Sequence, residues 1–125
     1  MGINDVSKQV IDAPMVVHTR LGPGLLESAY QACLRYELEK RGLRVAVQVA
    51  LPVVYERIKI EAGYRIDLIV EDEIILELKA FDAIHPIHKA QLLSYLRLSG
   101  KKLGLIINFH VLHLKDGITR MVNGL

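Results

Sequence analysis

The chain has 125 residues, of which 51% are hydrophobic and 24% charged, and its formal net charge is +2. These values are typical of one globular domain with a single core, and we expect that domain to span residues 1–125. The single cysteine, Cys33, excludes an intrachain disulfide framework and a cysteine-rich zinc site. The sequence has no apolar run of the roughly 18–20 residues that a membrane span needs, and the N-terminal segment lacks the apolar core of a signal peptide. We therefore expect a cytoplasmic protein with no membrane partner.

Two helices are predicted at the start of the chain. The first runs from about Asn4 to Thr19, where apolar residues recur at helical spacing, and Pro14 is expected to kink or interrupt it. The segment from Leu21 to Gly24 is a break. A second helix is predicted from about Pro23 to Arg41, and Gly42 ends it.

The rest of the chain alternates between strands and one helix. The β-branched segment Leu43–Tyr55 predicts a strand that is interrupted at Pro52. Further elements are predicted as strands in Arg57–Val70, Glu73–Ala80 and Lys102–Leu114, as a helix in Ile84–Gly100, and as a final strand or helical turn in Asp116–Val122. This order predicts a mixed α/β fold, with α+β-like character, in which helices cover the sheet.

Two charged residues interrupt the apolar strand "IILELKA". Glu77 and Lys79 share one strand face, because side chains alternate between the two faces of a strand. An E-x-K pattern alone is more often an exposed pair of surface charges on an edge strand than a functional site. Its neighbours must therefore decide between the two interpretations.

The preceding strand supplies such a neighbour. A three-residue turn at 71–73 pairs Val70 with Ile74, and this register places Asp67 directly opposite Glu77. A slip of one residue would move the two carboxylates to opposite faces. The register therefore decides whether the carboxylates meet.

Two converging carboxylates indicate a site for a hard cation. Asp67 and Glu77 suit Mg²⁺, with Mn²⁺ as the alternative, because Mg²⁺ is typically held by one or two carboxylates and several waters. Such an ion polarises a phosphate and lowers the pKa of a bound water. Lys79 lies one step along the same face, opposite Arg65, where it could orient that water or neutralise charge on the phosphate.

The order of Asp67, nine further residues and then Glu77-Leu78-Lys79 resembles the D-(x)n-E-x-K core of the PD-(D/E)XK nuclease superfamily. The segment "GLLESAY", from Gly24 to Tyr30, resembles the signature of the GxxExxY protein family, a branch of that superfamily. The segments "GYRIDLIV", "ELKA", "AQLLSYL" and "GLIINF" are similar to segments of that family in the same order. One departure is Ile66, which stands where the superfamily name has proline.

The resemblance implies a restriction-endonuclease-like core, with a central mixed sheet flanked by helices, and metal-dependent hydrolysis of nucleic-acid phosphodiesters. The residues expected to be catalytic are Glu27, Asp67, Glu77, Lys79 and Gln91, and those expected to hold the metal are Asp67, Glu77 and Glu27. The residues expected to contact substrate are Tyr30, Arg65, His88 and Tyr95.

Helical spacing agrees with these assignments but also allows purely structural roles. Glu27 and Tyr30 share one helix face, and His88, Gln91 and Tyr95 share another. An acid near a helix start is also favoured by the helix macrodipole. A tyrosine is equally at home in a core with its hydroxyl group bonded, and a glutamine can cap a buried backbone group.

Three functions remain open at this level. The first is a nuclease, with DNA expected ahead of RNA as the substrate. The second is a non-catalytic nucleic-acid-binding or protein-assembly module on the same fold, for which the apolar first helix would offer a homodimer contact. The third is hydrolysis of another phosphate ester.

Overall fold

The computed structural model describes residues 2–124. The helices are α1 (Ile3–Leu21), α2 (Glu27–Lys40) and α3 (Pro86–Ser99). The strands are β1 (Val45–Ala50), β2 (Val53–Tyr55), β3 (Ile58–Ile60), β4 (Arg65–Val70), β5 (Ile74–Lys79), β6 (Leu103–Asn108) and β7 (Ile118–Val122). A short 3-10 turn, Leu114–Gly117, precedes β7. The predicted mixed α/β fold is confirmed.

Five strands form the central sheet, in the order β1-β4-β5-β6-β7. The β5–β6 pair is parallel, and the other three pairs are antiparallel. Because β5 and β6 run parallel, they end at the same edge of the sheet. The connection between them contains α3. That edge carries the C-terminal residues of both strands, Lys79 and Asn108, which are register partners.

Apolar side chains bury both faces of the sheet. One core cluster joins α1 and α2 to the sheet through residues such as Val10, Leu34 and Leu76. A second, smaller cluster joins α3 to the opposite face, with Leu96 and Ile75 among its members. The sheet is therefore the middle layer of three, as the resemblance implied. Within residues 2–124, no helix is long and apolar enough to cross a membrane.

The first helix differs from its prediction at Pro14. The helix is continuous through Pro14, which is buried, and extends to Leu21. A proline in a helix interior removes one backbone hydrogen bond. Here the helix is retained because its buried face, which includes Val10 and Val17, packs into the larger core.

The second helix begins at Glu27 rather than at Pro23. Gly22 and Gly24 both have positive φ angles, of 70° and 101°, which glycine adopts readily and other residues rarely do. The segment between them therefore remains a loop. Glu27 becomes the first helical residue instead of lying one turn inside.

The predicted register of the β4–β5 hairpin is confirmed at its turn, but the two strands pair over fewer residues than expected. Val70 pairs with Ile74, and the backbone ladder ends at the pair Leu68 and Leu76. Beyond that point the predicted pairing of Arg65 with Lys79 does not form. Arg65 pairs with Ala50 on β1, and Lys79 pairs with Asn108 on β6.

Two glycines permit close packing and give a testable contrast. A Cβ atom on Gly117 would lie 2.2 Å from the Asn108 backbone oxygen, whereas one on Gly104 would meet only the ends of the Leu92 side chain, from 2.8 Å. We expect Gly117→Ala to lower the free energy of unfolding by about 2–3 kcal/mol and Gly104→Ala by about 1 kcal/mol, because backbone yields less readily than a side chain. Urea denaturation of both variants measures this, and the opposite ranking would contradict it.

Candidate active site

Asp67 and Glu77 replace the backbone pairing where β4 and β5 separate. The Asp67 N–H donates a hydrogen bond to Glu77 Oε2 at 2.8 Å, and the Leu78 N–H donates one to Asp67 Oδ2, also at 2.8 Å. Each carboxylate therefore satisfies a backbone donor of the opposite strand. The two acidic side chains are held close together, although like charges repel each other.

An irregularity in β1 accompanies this separation. Gln48 has a positive φ of 49°, and the β1–β4 register passes from Val47–Leu68 to Val49–Ile66 without pairing Gln48 and Asp67. Leu68 packs in the larger core, whereas Ile66 packs in the smaller one. Strict alternation, which predicted one shared face for Arg65, Asp67 and Ile69, is therefore wrong at this point, because the strand rotates about Asp67.

Glu77 is the most perturbed acid of the site. Its side chain is buried, with 5% of the residue exposed. Burial first, and then the Asp67 charge, raise the pKa of Glu77 to about 7, although the Asp67 N–H and the Lys79 charge act in the opposite direction. A carboxyl group in this state binds either a proton or a cation near neutral pH.

Glu27 reaches the same end of the sheet from α2. Its Oε2 accepts a hydrogen bond from the Ala80 N–H at 3.2 Å, one residue after Lys79. The Glu27 charge also contributes to the raised pKa of Glu77. The macrodipole favours an acid at this first helical position, and the position directs that acid to the site.

Lys79 lies at the C-terminal end of β5 and is half-buried. The backbone carbonyl group of Lys79 is fixed, because the Phe109 N–H donates a hydrogen bond to its oxygen at 2.9 Å. Its charge lowers the pKa of both Glu77 and His88. Lys79 is therefore electrostatically coupled to the carboxylates on one side and to α3 on the other.

Tyr30 corrects one prediction. It is fully buried, and its ring stacks on Phe109 with centroids 4.2 Å apart. Its hydroxyl group donates to the Gly22 carbonyl oxygen at 2.6 Å and accepts from the Leu25 N–H at 3.1 Å. Tyr30 therefore fixes the loop that leads to Glu27, and its burial leaves no surface for the predicted contact with substrate.

The Tyr30 hydroxyl group gives a second stability prediction. We expect Tyr30→Phe to lower the free energy of unfolding by about 1–3 kcal/mol, because two backbone groups lose their partner. Tyr36→Phe is the matched control, since Tyr36 is 63% exposed. Thermal unfolding of the two variants measures the difference. Equal melting temperatures would show that the loop does not depend on Tyr30.

The predicted residues of α3 occupy two environments. Tyr95 is 5% exposed, and burial, followed by the charges of Glu77 and Asp67, raises the pKa of its hydroxyl group. Gln91 lines a cleft with Tyr95 and Tyr64, between α3 and the β2–β3 hairpin. Tyr95 is therefore close enough to both carboxylates to respond to their charges, and Gln91 lines the cleft beside it.

His88 is half-buried in the first turn of α3. Its Nδ1 accepts a hydrogen bond from the His85 N–H at 3.2 Å, which indicates that the proton of the neutral ring is on Nε2. Partial burial first, and then the Lys79 charge, lower the pKa of His88. Arg65 is exposed on β4, and its guanidinium group lies 3.5 Å from the Gln48 carbonyl oxygen.

Four residues near the site were missed by the sequence analysis. Gln48 lies beside Asp67, with its Nε2 3.4 Å from Asp67 Oδ1, and Tyr64 packs edge-on against Tyr95. The other two residues, Asn108 and Phe81, contact each other at the end of β5. Asn108 had a detectable signal, since it is an amide at the end of an otherwise apolar strand. Phe81 lies in a loop whose path no periodicity predicts.

The carboxylates of Asp67 and Glu77 are oxygen ligands of the kind that a hard divalent cation prefers. In the part of the chain that the structure describes, no group of three or more His, Cys, Asp or Glu residues converges closely enough to hold a metal ion as it stands. Asp67 and Glu77 each use one oxygen for a backbone N–H, which leaves a second oxygen able to bind a cation. Two carboxylates supplemented by water are the ligands that Mg²⁺ usually takes in proteins.

Comparison with known proteins identifies a family. A family model described as the PD-(D/E)XK nuclease superfamily matches residues 4–121. No curated protein and no solved structure matches the chain.

Proposed function

The chain belongs to the PD-(D/E)XK nuclease superfamily, and we propose that it is a metal-dependent nuclease that hydrolyses nucleic-acid phosphodiester bonds. Membership of the GxxExxY branch is part of the proposal, and it is supported by the segment from Gly24 to Tyr30. The observation that carries the proposal is the reciprocal arrangement of Asp67 and Glu77. Each carboxylate is fixed by a backbone N–H at 2.8 Å, with Lys79 two residues further along β5.

In this proposal Asp67, Glu77 and Glu27 hold Mg²⁺, or Mn²⁺ in its place. When bound, the ion polarises a phosphate oxygen and lowers the pKa of a water molecule. The protein's own contribution is the close pair of buried Glu77 and half-buried Asp67, whose mutual repulsion favours a cation. Glu27 adds a third negative charge beside the end of β5.

Lys79 is proposed as the catalytic lysine. Its ammonium group neutralises negative charge that develops on the phosphate during hydrolysis, and it orients the attacking water. The peptide bond that follows Lys79 is held at both its carbonyl oxygen and its N–H, which supports this role, since transition-state stabilisation depends on groups that are positioned in advance.

The remaining predicted residues are proposed to position the substrate. Tyr95 lies near the carboxylates on α3, Gln91 lines the cleft beside Tyr95, and His88 has a ring N–H suited to a phosphate oxygen. Arg65 is exposed on the neighbouring strand, where its guanidinium group suits a backbone phosphate. DNA is proposed as the substrate in preference to RNA. The proposed location of the protein is the cytoplasm.

A cleavage assay tests the proposal. Labelled single- and double-stranded DNA and RNA are incubated with the protein and Mg²⁺, Mn²⁺ or a chelator. We expect cleavage only with metal, and its loss in Asp67→Asn. Asp12→Asn is the control, because Asp12 is a partly exposed acid on α1 that pairs with Lys8 away from the candidate site. Absence of metal-dependent cleavage, or its persistence in Asp67→Asn, would contradict the proposal.

A non-catalytic assembly module is the second candidate. It is favoured by apolar side chains that the β2–β3 hairpin leaves exposed, among them Val54 and Ile58, each 60% exposed. Contiguous exposed apolar surface is typical of interaction sites. Sedimentation of the wild-type chain and of Ile58→Lys would test it. A dimer that Ile58→Lys dissociates and Asp67→Asn leaves intact would favour assembly.

A further inference from the structure

Phe81 is an exposed aromatic residue held in a fixed position beside the candidate site. It is 41% exposed, and it follows Lys79 by two residues. Its ring stacks on His88, with centroids 5.2 Å apart and ring planes 19° apart. The two rings, which we call the stacking platform, therefore lie next to the lysine that is proposed to face the scissile phosphate.

Asn108 fixes the backbone of the stacking platform. Its side chain is buried, donates to the Phe81 carbonyl oxygen at 2.9 Å and accepts from the Phe81 N–H at 3.1 Å. The preceding Ala80 N–H is bonded to Glu27. Three hydrogen bonds from two separate elements thus hold two successive residues. An aromatic side chain on such a backbone is pre-organised for a ligand.

The chemistry of the platform indicates the ligand. A phenyl ring and an imidazole ring present flat π faces, and a nucleobase stacks on such faces irrespective of its sequence. In a continuous duplex both faces of each base are covered by the neighbouring base pairs. Only an unpaired, terminal or flipped base has a face to offer.

We propose that Phe81, whose inner face is covered by His88, stacks its outer face against an unpaired nucleobase adjacent to the scissile phosphate, so that the chain prefers single-stranded or frayed nucleic acid to continuous duplex. This inference rests on the proposed nuclease function and adds its substrate class. The base supplies the apolar cover that Phe81 lacks. Lys79, two residues away, is then within reach of the adjoining phosphate.

A binding assay in the Glu77→Gln background tests the inference without cleavage. A short DNA single strand that carries the fluorescent base 2-aminopurine is titrated with protein in Mg²⁺, and the comparison is a longer duplex in which the same base is paired far from either end. We expect Phe81→Leu to weaken single-strand binding about tenfold and to abolish the stacking quench, because leucine has no π face on which the base can stack. Phe81→Tyr, which keeps the ring, should retain both.

Two controls separate stacking from a general loss of structure. Tyr36→Leu removes an exposed aromatic residue from α2, and it should change neither affinity nor quench. An abasic site at the probe position should weaken binding by the parent protein but not by Phe81→Leu, because the two changes remove the same contact. Equal affinity of Phe81→Leu and its parent for the single strand, tighter binding of the duplex, or no binding of either would overturn the inference.

The outcomes also separate this inference from the proposed function. Phe81-dependent binding with no Mg²⁺-dependent cleavage by the wild-type chain would support the stacking platform and contradict the proposed nuclease function. Metal-dependent cleavage that Phe81→Leu leaves unchanged on both substrates would support the nuclease function and contradict the stacking platform.

Discussion

Glu77→Gln is expected to abolish metal-dependent cleavage and, in the same protein, to raise the stability of the metal-free chain at pH 8. The loss of cleavage follows because a neutral amide is a poor ligand for a hard cation. We expect the rate to fall by at least about 10²-fold, as for the removal of other groups that stabilise a transition state. The gain in stability follows from the environment of the carboxyl group.

The sign of the stability change comes from the pKa of Glu77. In the folded chain this pKa is raised from 4.5 to about 7, first by burial and then by the Asp67 charge. Between those pH values the folded state binds more protons than the unfolded state, so stability is complete below the unfolded pKa and falls as the pH rises through the folded pKa. The loss by pH 8 is on the order of 3 kcal/mol. Glutamine does not ionise, so the Glu77→Gln variant does not lose this stability as the pH rises.

Thermal unfolding in chelator at pH 5 and pH 8 measures this effect. We expect Glu77→Gln to melt on the order of 10 °C above the wild type at pH 8 and close to it at pH 5. Glu71→Gln is the matched control, because a backbone hydrogen bond from Arg44 lowers the pKa of Glu71, so that neutralising Glu71 brings no gain at pH 8. Saturating Mg²⁺ should raise the melting temperatures of the wild type and of Glu71→Gln, but not that of Glu77→Gln. A wild type as stable as Glu77→Gln at pH 8 in chelator would contradict the prediction.

Lys79→Met is expected to lower turnover by about 10²–10³-fold while leaving metal binding in place. Methionine has a similar length and no charge, so the variant removes the ammonium group and little packing. Lys79→Arg keeps the charge but changes its shape, and we expect it to recover only part of the rate. The carboxylates remain, so Mg²⁺ should still raise the melting temperature.

The measurement separates turnover from binding. Initial rates at saturating substrate give the turnover number, and melting temperatures with and without Mg²⁺ report metal binding independently. Lys102→Met is the matched control, because Lys102 is an exposed lysine immediately before β6. A Lys79→Met variant that turns over like Lys102→Met would exclude Lys79 from catalysis.

The parts of the fold that depend on local pattern could be predicted from the sequence. The turn at 71–73 was predictable because apolar runs of matching length flank three acidic residues, and the pairing of Val70 with Ile74 is observed. The helix positions followed from apolar periodicity, with errors at Pro14 and Pro23, where tertiary packing and loop geometry outweigh local signals.

The details of the candidate site depend on contacts between distant segments, and these could not be predicted. The bonds that link Asp67 and Glu77 to the opposite backbone require the ladder to stop at Leu68, which coincides with the left-handed conformation of Gln48 on another strand. A glutamine gives no sequence signal for that conformation. The sequence left Tyr30 open between a core role and a site role, because the helix face that carries Glu27 to the site also faces the core.

The parallel pairing of β5 with β6 has a consequence for protein synthesis. Lys79 emerges from the ribosome well before Asn108, its register partner, and the intervening segment includes the whole of α3. A nascent chain that ends before residue 108 therefore lacks the strand against which the Lys79 end of β5 is fixed. The proposed cutting activity would consequently arise only after residue 108 has been synthesised and β6 has paired with β5.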